Sequence, residues 1–527
     1  MNEQKRFTVK REYLVILAAT FSFAIVAHGS AMFQKFSILD DPVYLFDVGA
    51  TYTSGRWMLY LLYRFTRFAG YSAYSLPIFN SLVSFFFLAV VSCILTELFS
   101  IRRTGSLIAV SGMLTVTPAV TGLMAYHYTM PYYFFGLLLS VAGAALAAKR
   151  KKLLPSVAGI VLIACGIGIY QAYLPFAMGV FLVYCILQIA DGKDSGIREI
   201  LYTALRLVAV ALAALLLYLM VNAAVLSFVQ DQMTDYRSLD TFGRTTAAGY
   251  LARIGDAFVQ FFVPDAGASY NMYPLRTTWL FYLTVVLVAL AAYLHAKRLL
   301  QQNKADGICF ILFLLLSPFV FNFIFVITGK EEVHTLMVHA QVLFIFLAAS
   351  LMERLPADRE ESISSGSGFS SRKRSVSLRM VWIAAALMLC TGLTRYAEIC
   401  YQGTHYAQAE ALKYLNRLAL KIEQTPGYRE DTVVAYVGEY EKKADTLPSY
   451  DAFHAIVTFP YPRNVEELLN QYTWKLMMEQ WCGFLPPLTD PAPFAEKEQV
   501  KSMPCYPDDG SIAVIDDVIV VKFADAE

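Results

Sequence analysis

Residues 14–33 read LVILAATFSFAIVAHGSAMF, and residues 37–44 read SILDDPVY. The first stretch contains no Asp, Glu, Lys or Arg. It is as long as the roughly 18–20 residues that a helix needs to cross a hydrocarbon layer. The second stretch sets two adjacent carboxylates, Asp40 and Asp41, where such a helix emerges. A polar, basic segment precedes the apolar run and no small-residue cleavage site is evident after it. The run is therefore expected to be a retained first helix, not a signal peptide.

The same apolar pattern recurs along the chain. Of 527 residues, 57% are hydrophobic and only 16% are charged, against about 25% charged in soluble proteins; the mean hydropathy is +0.49. Apolar runs at 13–34, 75–98, 105–123, 130–148, 154–170, 172–190, 206–228, 277–296, 307–327, 334–352 and 380–399 predict about eleven transmembrane helices. The fifth and sixth meet through IYQAYLP in a tight hairpin. Alternate loops carry the cations: Lys5, Arg6, Lys10 and Arg11; Arg102 and Arg103; Lys149, Arg150, Lys151 and Lys152; Lys193 and Arg198; Lys297, Arg298 and Lys304; Arg372, Lys373 and Arg374. The intervening short loops have almost none. Positive charge stays inside, so the N-terminus is expected in the cytoplasm and the C-terminus outside, in a multi-pass protein of the plasma or inner membrane. The net charge of +1 gives no case for nucleic-acid binding.

On this topology the aqueous work faces outward. The first outer loop contains RWMLYLLYRFTRF (56–68), apolar all round except for Arg56, Arg64 and Arg67, which predicts an interfacial helix in the headgroup layer. Residues 1–399 form the expected transmembrane domain, and residues 400–527 a small extracytoplasmic α/β domain. In the latter, THYAQAEALKYLNRLALKIEQ and VEELLNQYTWKLMMEQW have helical spacing. DTVVAYVG reads as a strand, and SIAVIDDVIVVKF as a hairpin turning at Asp516-Asp517. The inner loop ESISSGSGFSSRKR is Ser/Gly-rich and expected to be disordered. Of eight cysteines, Cys482 and Cys505 fall in the tail, where an oxidising compartment permits a disulfide. No spacing of Cys and His suggests zinc.

Adjacent side chains do not face each other on a helix, so Asp40 and Asp41 suit two different roles. One carboxylate can deprotonate a hydroxyl; the other can position it or hold a divalent cation. The plainer account is a solvated Asp-Pro turn beside a span. No cofactor or metal ligand set is assigned. P-loop, nucleophile-elbow, metalloprotease and dinucleotide fingerprints are absent from the sequence.

The apolar first span, the LDD at 39–41, the GRW at 55–57 and the terminal MPCYPDDGSIAVIDDVIVVKF together resemble the GtrII-type glucosyltransferases. These are serotype-converting O-antigen enzymes with the GT-C membrane architecture. The resemblance implies transfer of a sugar, glucose in that family, from a polyprenyl-phosphate donor to a cell-envelope polysaccharide or surface polymer on the extracytoplasmic face. It implies a carboxylate general base, here Asp41 in preference to Asp40. It also implies partners that supply the donor, a separate donor-synthesising transferase and a flippase. A lipid-phosphate leaving group needs preorganised positive charge, and arginine offers a bidentate fork. Arg56 ranks first on this ground, followed by Lys330, His334 and Arg244. His127, Tyr128, Gln171, Glu331 and Glu332 sit at short outer turns and suit sugar or acceptor contacts, although aromatic residues also populate membrane interfaces by default. Asp235, Arg237, Asp240, Asp265, Asn271 and Tyr273 stand unranked in the outer loop 229–276. Arg64 and Arg67 read as headgroup contacts. The competing functions are a transporter or flippase of lipid-linked sugars and a polysaccharide polymerase. The former places charges inside its spans, and the latter a large arginine-rich loop late in the chain.

Overall fold

A computed structural model of the chain describes residues 10–36, 38, 41, 51–70, 75–149, 152–192, 196–233, 245–265, 267–355, 368–438, 453, 456–463, 465–469 and 474–525. The fold divides into two compact units. The first comprises Met1–Gln34, Phe46–Glu398 and Val457–Phe459; the second comprises Lys35–Leu45, Ile399–Ile456 and Pro460–Glu527. Lys35 and Asp41 thus group with the tail, whereas the sequence boundary at 399/400 places them with the spans.

The first unit is helical. In order it contains α1 (Arg11–Phe33), α2 (Trp57–Phe68), α3 (Pro77–Phe99), α4 (Thr104–Val116), α5 (Pro118–Leu123), α6 (Met130–Lys149), α7 (Leu153–Ile169) and α8 (Tyr173–Ala190). It continues with α9 (Ile197–Val229), α10 (Ala247–Phe262), α11 (Thr277–Gln302), α12 (Lys304–Phe321), α13 (Ile324–Thr328) and α14 (Leu343–Glu353). The last of these extends a 3-10 segment, Thr335–Val342. Among the described residues, nine helices are long and apolar enough to cross a membrane. The chain is a multi-pass membrane protein.

The expected count of eleven differs at two places. The run 105–123 breaks into α4 and α5 because Thr117 precedes Pro118 and is pushed into extended geometry (φ −60°, ψ 147°). Its hydroxyl then caps α5 by accepting from Val120 N. The run 154–170 forms α7 whole, and its 17 residues fall just short of the nine longer apolar helices. A third difference lies at the end of the unit. The sequence reading separates a span (380–399) from an amphipathic helix (404–424), but one helix, α15, runs Gly368–Glu423. No proline interrupts residues 400–403, and the Thr404 hydroxyl turns inward to the carbonyl of Cys400.

Arginines finish several of these helices. Arg206 donates to Ala147 O at 2.8 Å, Arg354 to Phe99 O at 2.9 Å and Arg379 to Met352 O at 2.7 Å, while Arg298 reaches Ala190 O. Each acceptor is a carbonyl in the last turn of α6, α3, α14 or α8, where the helix has no partner of its own. Glu353 in turn accepts the amides of Arg102 and Arg103, ahead of α4. Glu97 gathers Lys10 at 3.3 Å and Arg102 at 3.1 Å.

The second unit contains a three-stranded sheet in the order β1-β3-β2, from β1 (Val434–Val437), β2 (Ile512–Ile515) and β3 (Val518–Lys522). β1 runs parallel to β3 with Val434 opposite Ile519, and β2 runs antiparallel to β3 with Ile512 opposite Val521. One face packs Ala435, Val437, Ile515 and Val520 against Phe494 and Val500. Cys482 and Cys505 are both free thiols.

Asp516 and Asp517 make the two-residue turn between β2 and β3, with φ of 51° and 60°. Both angles are left-handed, as a turn matched to the twist of a hairpin requires. Asp tolerates this region and a β-branched side chain does not. Asp517→Val is expected to cost about 1–2 kcal/mol, read as a lowered thermal midpoint of the full chain in detergent, whereas Asp517→Gly is expected to leave the midpoint level or raise it.

Candidate functional site

The GRW motif of the first unit forms a tight, heavily supported turn. A short 3-10 segment, Thr51–Ser54, leads into Gly55, and α2 starts at Trp57. Gly55 has φ +75°, and a Cβ there would lie 2.6 Å from Tyr218 Oη and 2.8 Å from Gln171 Nε2. Those two groups occupy that space because they hold the backbone. Gln171 Nε2 donates to Ser54 O at 2.8 Å, and Tyr218 Oη donates to Gly55 O at 3.1 Å. The Gln171 amide also reaches Tyr218 Oη at 3.3 Å. The glycine is therefore required twice, by conformation and by close approach.

The turn sets the next two residues. The Arg56 guanidinium lies over the rings of Tyr170 (5.6 Å) and Tyr133 (6.0 Å). Tyr133 and Tyr170 meet edge to face at 5.2 Å, and Tyr173 Oη ties the group to Tyr133 O at 2.8 Å. Cation–π contact of this kind holds a delocalised charge in place with little need for water. Trp57 is buried against Gly168 of α7, where an added Cβ would lie 2.6 Å from the indole.

Behind the turn lies a cavity of about 450 Å³ bounded by α7, α8, α9 and α12. Lining residues on α9 extend from Ala204 to Asn222, a rise of about 27 Å. Leu207, Ala211 and Leu215 make its body apolar, whereas Gln171, Tyr218 and Asn222 gather at one end. The Asn222 side-chain oxygen is buried and has no hydrogen-bond partner among the described residues. The cavity thus grades from hydrocarbon to hydrogen-bonding groups, and its polar end carries the two side chains that hold the GRW turn.

Asp41, in the second unit, is fully buried. Its Oδ2 pairs with Lys35 Nζ. Burial pushes the Lys35 ammonium below its usual range, against the pull of Asp41. Phe36 stacks on Tyr401 at 6.2 Å, and Tyr401 meets Tyr461 edge to face at 5.4 Å. The carboxylate is therefore no solvated turn residue, as the plainer sequence account has it. Asp40 lies outside the described residues, as do Asp235, Arg237, Asp240 and Arg244.

The other sequence candidates belong to the first unit and divide into separate groups. Lys330 gives its ammonium to Asp265 at 2.6 Å, and Tyr270 Oη donates to the same carboxylate at 3.1 Å. The pairing raises the Lys330 pKa and lowers that of Asp265. Glu331 is exposed and Glu332 half-buried. His334, read as a loop-tip phosphate contact, is buried with its ring 4.7 Å from Phe459. His127 and Tyr128 are buried too; Asn80 Nδ2 donates to His127 O at 2.7 Å. Asn271 accepts from Tyr273 N at 2.9 Å, a turn contact of the backbone. Gln171, read as a sugar contact, has its amide nitrogen engaged in the GRW turn. Among the described residues no three His, Cys, Asp or Glu side chains cluster as a metal site.

Lys35, Tyr133, Tyr218 and Asn222 escaped the sequence reading. A signal existed for two kinds of them. Lys35 is the sole cation between the first span and Arg56, and Tyr218 and Asn222 are polar residues one helical turn apart inside an apolar run.

A sequence model of the family described as Glucosyl transferase GtrII matches residues 29–348, more than half of the 527-residue chain. No curated protein matches the chain in sequence. Among solved structures, the Archaeoglobus fulgidus oligosaccharyltransferase in its apo form aligns with TM-score 0.38 and 11% identity, over 92% of this chain and 65% of that one. The chain thus spans a little less than two thirds of that protein.

Two variants test the geometry. Gly55→Ala is expected to cost about 1–3 kcal/mol through its positive φ alone, seen as a lower thermal midpoint of the purified protein. Lys35→Met removes the ammonium paired with the buried Asp41 carboxylate and is expected to cost about 3 kcal/mol, with Lys35→Arg retaining most of the wild-type midpoint.

Proposed function

Because the chain belongs to the family of GtrII glucosyltransferases, we propose that this membrane glycosyltransferase moves glucose from a polyprenyl-phosphate donor to a cell-envelope polysaccharide or related surface polymer. What supports the donor class is the graded cavity: an apolar body suits a prenyl chain, and its polar end adjoins the turn that carries Arg56. The Arg56 fork binds the donor phosphate and stabilises the negative charge that grows on it as the glycosidic bond breaks. Asn222 Oδ1 accepts a hydrogen bond from a hydroxyl at the head of the donor.

Asp41 serves as general base. It takes the proton of the acceptor hydroxyl as that oxygen forms its bond to the anomeric carbon; the anomeric carbon–phosphate oxygen bond breaks and polyprenyl phosphate leaves. Lys35 compensates the buried charge before the proton arrives. Asp40 positions the acceptor or holds a divalent cation. Lys330, His334 and Arg244 are assigned to a second tier of phosphate contacts; His127, Tyr128, Glu331 and Glu332 are assigned to the acceptor side. The reaction faces the extracytoplasmic side and draws its donor from a separate synthesising transferase and a flippase.

The test is sugar transfer from polyprenyl-phosphate glucose in membranes that hold Asp40→Asn, Asp41→Asn or Arg56→Ala. Asp41→Asn is expected to lower the rate by about 100-fold or more, as loss of a general base does. Arg56→Ala is expected to lower it comparably, and Arg56→Lys by less. Wild-type rates in both aspartate variants would remove the base from this account. Movement of lipid-linked sugar across the bilayer without transfer would establish a flippase instead. Rates unchanged by a chelator would remove the cation from Asp40.

A further inference from the structure

We propose that the face of α9 crossed by α2 binds an anionic glycerophospholipid of the surrounding bilayer. An open hollow of about 640 Å³ lies there, separate from the cavity on the inner side of α9. Leu61 of α2 and Leu217, Met220, Val221 and Phe228 of α9 line it. Leu61, Met220 and Phe228 are 45%, 69% and 89% exposed. Its lining on α9 runs from Leu217 to Val229, a rise of about 18 Å, close to the depth of one leaflet of a core about 30 Å thick. α9 is long and apolar enough to span the membrane, so hydrocarbon chains are the medium this face meets.

Arg64 supplies the charge that a headgroup would meet. Among the described residues it is the one charged side chain lining the hollow. Its Nη1 donates to Tyr60 Oη at 3.3 Å, and its guanidinium lies 5.9 Å from the Tyr60 ring. No carboxylate pairs with Arg64 among the described residues. A guanidinium without an acidic partner, set at an apolar groove between two lipid-facing helices, has the chemistry that recognises a phosphodiester with acyl chains attached. The placement has a consequence for the catalytic unit. Tyr60 N donates to Arg56 O at 3.1 Å, so a lipid seated on Tyr60 and Arg64 braces the first turn of the helix that presents Arg56.

Arg67 provides an internal control. It too is exposed and donates to a tyrosine four residues earlier, Tyr63 Oη at 3.4 Å, but it does not line the hollow. The experiment uses the full chain in nanodiscs of phosphatidylcholine with a photoactivatable phosphatidylglycerol, or with the same label on phosphatidylcholine, and maps labelled peptides by mass spectrometry. Phosphatidylglycerol is expected to label α2 and α9 in preference to phosphatidylcholine. Arg64→Gln should lower that labelling about fivefold, Met220→Trp should lower it for both lipids by filling the groove, and Arg67→Gln should leave it unchanged, with thermal midpoints confirming that each variant is folded. Equal losses in Arg64→Gln and Arg67→Gln would reduce the effect to surface charge and overturn the site. So would labelling indifferent to headgroup, or a Met220→Trp variant that changes oligomeric state with labelling intact, since the groove would then seat a second copy of the chain.

Discussion

Gly55 carries the constraint on which the GRW end of the helical unit depends. With no side chain and φ +75°, it lets a tyrosine and a glutamine from α9 and the α7–α8 turn reach its own backbone and that of Ser54. Everything nearby is placed by that approach: Arg56 over two tyrosines, Trp57 into the surface of α7, and α2 off along the flank of α9. The hydrogen bonds are made in a low-dielectric setting, where leaving a partner unmatched costs about 1–3 kcal/mol per group. A local backbone choice thus commits three helices at once.

The two units handle charge differently. In the helical unit the Lys330–Asp265 pair is partly exposed, and pairs of that kind contribute little to stability. In the tail unit the Asp41 carboxylate has no exposure at all, and its compensation by Lys35 is correspondingly consequential. Desolvating a carboxylate costs several kcal/mol, which a well-placed ammonium offsets only in part.

Much of the helical layout was legible because the apolar runs are long and the loops between them basic. The runs at 13–34, 75–98, 130–148 and 277–296 coincide with α1, α3, α6 and α11 to within a few residues. The hairpin at Asp516-Asp517 was legible for a similar reason, since strand alternation flanks a dipeptide that tolerates positive φ. Composition along a window does not register a single Thr-Pro step, so the break before α5 was hidden. Nor does it register the absence of a breaker, so the continuity of α15 was hidden too. Among the candidate residues, Arg56 and Asp41 stood out through short motifs. Their supports did not: Lys35, Tyr133, Tyr218 and Asn222 act through contacts far apart in the chain, and tyrosines in an apolar run look like interface filler.

One of the capping arginines has a double meaning. Arg206, Arg298, Arg354 and Arg379 each close the last turn of a neighbouring helix, and Arg298 is also one of the loop cations from which the topology is read. On the topology that those cations predict, the Arg298 charge that resists translocation during insertion is the charge that later caps α8. A lysine in the same place keeps the insertion signal but not the planar, multi-donor reach. On that topology a single side chain serves both topogenesis and tertiary packing, and a helix threaded in the wrong direction forfeits both its retention signal and its cap.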